Sequence, residues 1–251
     1  VIDLRLGRWQ DALADVEQVD AVIVDAPYSA RTHGGHDGQS SDAKWNGSGR
    51  PTERRSIDYT GHTVEDVREV VASWVPRTRG WFVTITDHIL AAEYERALAD
   101  AGRYVFAPLP WYAPGSRVRL AGDGPSSWTC WIVVARPRRG QHRDGTSWSK
   151  WGTLPGGYHI SSDRRSVVVG AKPLALMRAL VRDYTRPGDL VCDPCAGGGT
   201  TARACQLEGR RFVGAEVDPD THRAASQRLA QPYTAPLFGD EEQPAQVDLI
   251  G

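Results

Sequence analysis

The sequence predicts an α/β fold, a largely parallel sheet with helices on both faces. Three observations carry that expectation. Ala21–Val24 (AVIV) and Trp81–Thr86 (WFVTIT) are uninterrupted apolar runs of strand length, the pattern of parallel strands buried on both sides. Leu190–Glu216 reads as a short strand, a glycine-rich turn, a helix and a second strand ending on an acid. Helical stripes separate these runs, as expected where strands and helices alternate. A chain of 251 residues is long enough to bury a substantial core as one domain.

Taken in order, Ile2–Leu6 is a strand and Gln10–Val19 one helix with loose periodicity. The AVIV strand ends in Asp25-Ala26-Pro27-Tyr28. Residues 31–62 carry glycine, serine, charges and His33, His36 and His62 without periodicity, and a stretch of this kind reads as a mobile active-site insertion. Thr63 and Asp66 stand at capping-box distance before the stripe Val64, Val67, Val70, Val71, Trp74 and Val75, which predicts a helix over Thr63–Arg77. WFVTIT follows with Asp87 at its end, then a helix over Ile89–Ala101 stopped by Gly102. Tyr104–Ala107 and Trp128–Ala135 read as strands joined by a Pro/Gly-rich loop that contains Trp111. Ala171–Tyr184 is helical with Pro173 in its first turn. Asp218-Pro219 opens a last helix to about Leu229, and residues 231–251 form an acidic, proline-rich tail.

The net charge of −1 conceals an uneven distribution. Between Arg136 and Arg165, the bases Arg136, Arg138, Arg139, Arg143, Lys150, Arg164 and Arg165 face only Asp144 and Asp163. Such a segment suggests an anionic partner, although a solvated arginine-rich face has the same composition. The cysteines Cys130, Cys192, Cys195 and Cys205 lack metal-ligand spacing, since Cys192-x-x-Cys195 has no second pair; no metal is expected, and reduced thiols are. No run reaches the ~18 apolar residues of a membrane span, and the opening VIDLRLGRWQ does not read as a signal peptide. A cytoplasmic location is expected.

The turn Asp193-Pro194-Cys195-Ala196-Gly197-Gly198-Gly199-Thr200-Thr201 has the make-up of a nucleoside-cofactor site. Glycines admit left-handed angles and close ligand approach, and the helix after them points unpaired N–H groups at the ligand. Glu216 falls close to the ~20-residue offset at which an acid meets ribose hydroxyls. Gly199 is followed by Thr200 and not Lys, which argues against a P-loop. The glycines give only the first half of a dinucleotide fingerprint. By itself the turn is equally compatible with a tight αβ connection that binds nothing.

Paired with Asp25-Ala-Pro-Tyr28, however, it resembles the DNA amino-methyltransferases that use S-adenosylmethionine. Their catalytic signature is Asp/Asn/Ser-Pro-Pro-Tyr/Phe and their cofactor signature is a glycine turn after Asp-Pro-Phe. The order here, catalytic motif first, is similar to the circularly permuted β class. Gly170-Ala171-Lys172-Pro173, Arg211–Glu216 and the segments Trp111-Tyr-x-Pro and Gly122-Asp-x-Pro125 extend the likeness. Ala26 stands for the first proline of the signature and Cys195 for its phenylalanine.

The resemblance implies a Rossmann-like methyltransferase sheet that transfers a methyl group from S-adenosylmethionine to a flipped base. Asp25 and the carbonyl of Ala26 would accept the two amine hydrogens, Pro27 would shape the turn and Tyr28 would stack on the base. The cofactor would be held by Asp193, Pro194, Cys195, Ala196, Gly197, Gly199, Thr200, Thr201, Glu216, Val217 and Asp218, with Lys172, Pro173 and Arg8. Double-stranded DNA would meet Arg31, Trp111, Arg138, Arg139, Arg143, Trp148, Lys150, Trp151, Arg164 and Arg165, with residues 108–165 as the target-recognition insertion. Aspartate at position 25 favours adenine over cytosine. The class also implies a monomer or homodimer and allows a cognate nuclease. A nicotinamide-dependent oxidoreductase and a catalytically idle nucleic-acid-binding module are the readings from other classes.

Overall fold

The structure, a computed structural model, describes residues 1–32, 60–114, 125–138, 152–161 and 171–233. The elements run β1 (Ile2–Leu6), α1 (Trp9–Ala12), β2 (Ala21–Val24), α2 (Val64–Trp74), β3 (Phe82–Thr86), α3 (Ala91–Asp100), β4 (Tyr104–Val105), β5 (Leu109–Tyr112), β6 (Thr129–Arg136), β7 (Tyr158–His159), α4 (Leu174–Tyr184), β8 (Leu190–Asp193), α5 (Thr200–Leu207), β9 (Arg211–Glu216) and α6 (Pro219–Ala230). The strands form one sheet in the order β1-β9-β8-β2-β3-β6-β5-β7, with β4 also beside β6.

The first five strands in that order are mutually parallel, and β6 enters antiparallel between β3 and β5. The chain leaves β2 towards β3 but leaves β8 towards β9, on the other side. The boundary between β8 and β2 is therefore a topological switch point, where the carboxyl ends of open α/β sheets form a crevice.

Side chains alternate between the faces of a strand, which explains why β2 is apolar throughout. Ile23 belongs to the buried cluster that includes Met177 and Leu180 of α4, Cys205 of α5 and Leu229 of α6. Its neighbours Val22 and Val24 belong to a second cluster with Val67 and Trp74 of α2 and Tyr94 and Leu98 of α3. Two helical layers thus cover one sheet, the predicted fold class. Thr63 and Asp66 form the expected capping box at the start of α2.

Three local expectations are corrected. The helix predicted over Gln10–Val19 is only α1; the chain turns after Ala12, and the Arg77 guanidinium reaches the carbonyls of Leu13 and Val16 beyond the helix end. Pro173 caps α4 from outside, with extended ψ, and is not in the first turn. The Pro/Gly-rich loop contains a strand, β5, held between β6 and β7; Pro110 hides it from a propensity reading, since proline lacks the N–H that a ladder needs.

Candidate active site

Parallel neighbours β8 and β2 pair Ala21 with Val191 and Val22 with Cys192, so both acidic strand ends emerge on one side. A cleft of about 1210 Å³ opens there, lined by Asp25, Pro27, Lys172, residues 193–198, Thr200, Thr201 and residues 215–221, with Gly7–Gln10 and Thr60–His62 on its rim. The two motifs, far apart along the chain, therefore share one cavity.

The glycine turn is built around Asp193. Its carboxylate accepts from the Cys195 N–H at 3.0 Å and the Thr201 hydroxyl at 2.5 Å, bridging strand end and helix start. Gly197 has φ +50°, and a Cβ placed there would meet nothing within 4 Å. Gly199 has φ +71° and abuts Leu229 and Ala225 of α6; it serves helix packing more than the cleft. Asp218 caps α6 through the Thr221 N–H at 2.7 Å, and its own N–H reaches Glu216 at 2.8 Å. Arg8 is exposed at the cleft rim, and Val217 is exposed beside Glu216.

Electrostatically this is an acidic cavity. Burial pushes the Asp193 carboxyl up to about 7 against the pull of Thr201 and Cys195, and the nearby charges of Asp25 and Glu216 push it the same way. Burial also raises Glu216, against backbone N–H groups of Asp218, Gly197 and Val217. Carboxylates held above their ordinary range are short of positive charge. A ligand carrying cationic centres and hydroxyl donors fits that deficit, and the open approach at Gly197 fits a ligand lying against the backbone.

The acceptor side expected from Asp25–Tyr28 is built on β2. Ala26 and Tyr28 are buried, and Asp25 and Pro27 partly so. Ser29 is fixed by Asp87 of the β3 end, and the Tyr28 carbonyl accepts the His62 N–H at 3.0 Å. Residues 30–32 are helical, and Thr60–His62 return to the motif through the Ser29–His62 bridge. Both stems of the expected 31–62 insertion thus meet at Tyr28, while residues 33–59 lie outside the described residues. Lys172, expected on the cofactor side, pairs with Asp25 at 2.7 Å.

The expected nucleic-acid contacts divide. Arg31 is exposed three residues after Tyr28. Trp111 is buried, its indole N–H on the Ile160 carbonyl at 2.8 Å, so it packs β5 against the β7 segment and offers no open face. Arg138 is exposed beyond the end of β6; β6 runs against β3, so Arg138 leaves the sheet opposite the cleft. Arg139, Arg143, Trp148, Lys150, Trp151, Arg164 and Arg165 lie outside the described residues. Tyr112, Trp128 and His159 were not among the expected contacts; the rings of Trp128 and His159 lie 6.0 and 5.4 Å from that of Tyr112. They stand at the cleft end of β5, β6 and β7, and the register that puts them there is tertiary.

Comparison with known proteins adds an independent line. Residues 129–227 match a DNA methylase family. The type II methyltransferase M.XycI of Xanthomonas campestris pv. cyanopsidis is 28% identical over 143 residues, 53% of this chain and 47% of that protein. The DNA adenine methyltransferase YhdJ of Escherichia coli (strain K12) is 36% identical over 66 residues, 26% of this chain and 22% of its own length. The matches thus span about half or less of these relatives. The crystal structure of M1.HpyAVI in complex with SAM superimposes with a TM-score of 0.65 at 20% identity, over 91% of this chain and 100% of that one. The expected likeness to DNA amino-methyltransferases is borne out, and the fold is theirs. Among the described residues no helix is long and apolar enough to cross a membrane, and no group of three or more His, Cys, Asp or Glu is placed to hold a metal.

Proposed function

We propose that this protein transfers a methyl group from S-adenosylmethionine to the exocyclic amine of a flipped base in DNA. The observation that carries the proposal is the convergence of Asp25, Asp193 and Glu216 in one cleft at the switch point. The bound cofactor would supply an electrophilic methyl on a cationic sulfur. Asp193, Glu216 and the Gly197 turn would bind its charge and hydroxyls. The exocyclic amine of a base is a weak nucleophile, its lone pair delocalised into the ring. Asp25 accepting one N–H and the Ala26 carbonyl the other would favour a pyramidal nitrogen with its lone pair towards the donor. Asp25 would also take the proton the amine sheds. Tyr28 would stack on the base, offsetting an unstacking cost of a few kcal/mol.

DNA would cross the carboxyl ends of the strands, where Tyr112, Trp128 and His159 form an aromatic cluster at the same sheet edge as the cleft. The relatives support a DNA acceptor, and the aspartate at position 25 favours adenine. The test is mass spectrometry of nucleosides from a plasmid co-expressed with the chain. N6-methyladenine is expected, and none with Asp25→Ala; N4-methylcytosine would reassign the base, and unmodified DNA would reject the function.

A further inference from the structure

Two of the groups assigned to the acceptor, Asp25 and Tyr28, are engaged by one ammonium. Lys172 Nζ lies 2.7 Å from each carboxylate oxygen of Asp25 and 4.6 Å from the centroid of the Tyr28 ring. The Lys172 side chain is only 10% exposed and Tyr28 only 7%. An amine of a flipped base needs these same two contacts, N–H to carboxylate and a flat group against the aromatic face. While the ammonium rests there, it holds the contacts that the base would need.

We propose that Lys172 is a stand-in for the acceptor amine, and that a base enters only by displacing it. This rests on the methyl-transfer reading and names the residue that sets acceptor affinity at that site. The backbone of Lys172 is restrained by Pro173 after it, and Pro173 caps α4, so the displacement falls on the side chain. Lysine is suited to such a role because its ammonium is a point charge on a flexible four-carbon stem, whereas an arginine fork would grip a carboxylate bidentately. A purely structural ion pair would also explain the distances. It makes the opposite predictions, because removing one partner of a buried pair leaves an uncompensated charge.

The experiment uses the full chain with tritiated S-adenosylmethionine and unmethylated plasmid DNA. It compares wild type, Lys172→Met and Lys172→Arg by KM for DNA and by equilibrium Kd for DNA with S-adenosylhomocysteine present. Melting temperature and S-adenosylhomocysteine affinity of each variant serve as controls. Lys172→Met, with no ion pair to break, is expected to lower both constants by about tenfold, and Lys172→Arg to raise them at least about threefold. A rise in Lys172→Met, a wild-type value in Lys172→Arg, or no change in either overturns the proposal. Should Lys172→Met fail to fold, the arginine variant decides alone. Wild type that labels no DNA overturns the methyl-transfer reading and this inference together, whereas labelling with the wrong variant pattern overturns the inference only.

Discussion

Asp87, at the end of β3, holds Ser29, the residue after the Asp25–Tyr28 motif. Its Oδ2 accepts the Ser29 N–H at 2.9 Å and the Ser29 hydroxyl at 2.5 Å, with the Thr32 hydroxyl on the same oxygen. The other oxygen accepts the N–H groups of Ile89 and Leu90, both at 3.0 Å, at the start of α3. One carboxylate therefore ties the loop after Tyr28 to the neighbouring strand and helix.

Burial alone would raise the Asp87 carboxyl, but the hydroxyls of Ser29 and Thr32 and the N–H groups of Leu90 and Ser29 outweigh it and hold it below the ordinary range. A depressed acid stabilises the fold above its unfolded pKa and loses that contribution as pH falls through the folded value. Thermal melts of wild type are thus expected to drop steeply below about pH 4, where an unfolded aspartate begins to bind protons. Asp87→Asn should flatten that drop, and Asp87→Ala should cost about 2 kcal/mol at neutral pH by removing hydrogen bonds to a charged acceptor. A neutral-pH stability equal to wild type would show that Asp87 does not hold the loop.

Asp193 carries the opposite sign. Its carboxyl is raised to about 7, so as pH rises from about 4 the unfolded chain ionises first, and stability without cofactor falls until about pH 7. A cationic cofactor favours the ionised form. S-Adenosylmethionine affinity, measured by calorimetry, should weaken below about pH 7, with proton release seen as a buffer-dependent enthalpy near pH 6. Asp193→Asn should remove that dependence and weaken binding at least about tenfold. An affinity flat from about pH 5.5 to 8 would contradict the assignment.

The glycines of the cofactor side separate by space. A Cβ at Gly214 would stand 2.5 Å from the Phe212 ring and 2.6 Å from the Asp193 carbonyl, so Gly214→Ala must shift β8 against β9 and should cost about 3 kcal/mol. At Gly197 nothing lies within 4 Å and only φ +50° opposes a side chain, a cost of roughly 1 kcal/mol. Gly197→Ala should nevertheless impair cofactor binding more than stability, because its new methyl meets the ligand. Denaturant melts and calorimetry on both variants separate the two effects.

The aromatic cluster tests where DNA lies. Trp128, 37% exposed, and Tyr112, 39% exposed, lie at the carboxyl edge of the sheet, where the proposed function puts the DNA. Trp128→Ala should weaken DNA binding by about tenfold, within the range for losing one stacking platform, while leaving S-adenosylmethionine affinity intact. Anisotropy with labelled DNA at fixed salt reads this directly, and an unchanged Kd would place the DNA elsewhere.

Much of the site was legible because its signals are local. The helix cap Thr63–Asp66, the glycine turn and the buried strands each depend on residues within a few positions of one another, and the backbone obeys such patterns directly. The β5 strand was not legible, since its pairing with β6 and β7 overrides the proline it contains. Nor was α1 legible as a short helix, because the turn after Ala12 packs against Arg77 from a distant part of the chain.

By itself the sequence determined the α/β class, the two motifs and their order, because hydrophobic alternation and turn chemistry are written in neighbouring residues. Only the tertiary structure decided that Lys172 rests on Asp25 and Tyr28, that Trp111 packs inside, and that Arg138 leaves the sheet opposite the cleft. Those facts follow from which strands pair and in which direction, and such pairing is set by contacts between residues distant along the chain.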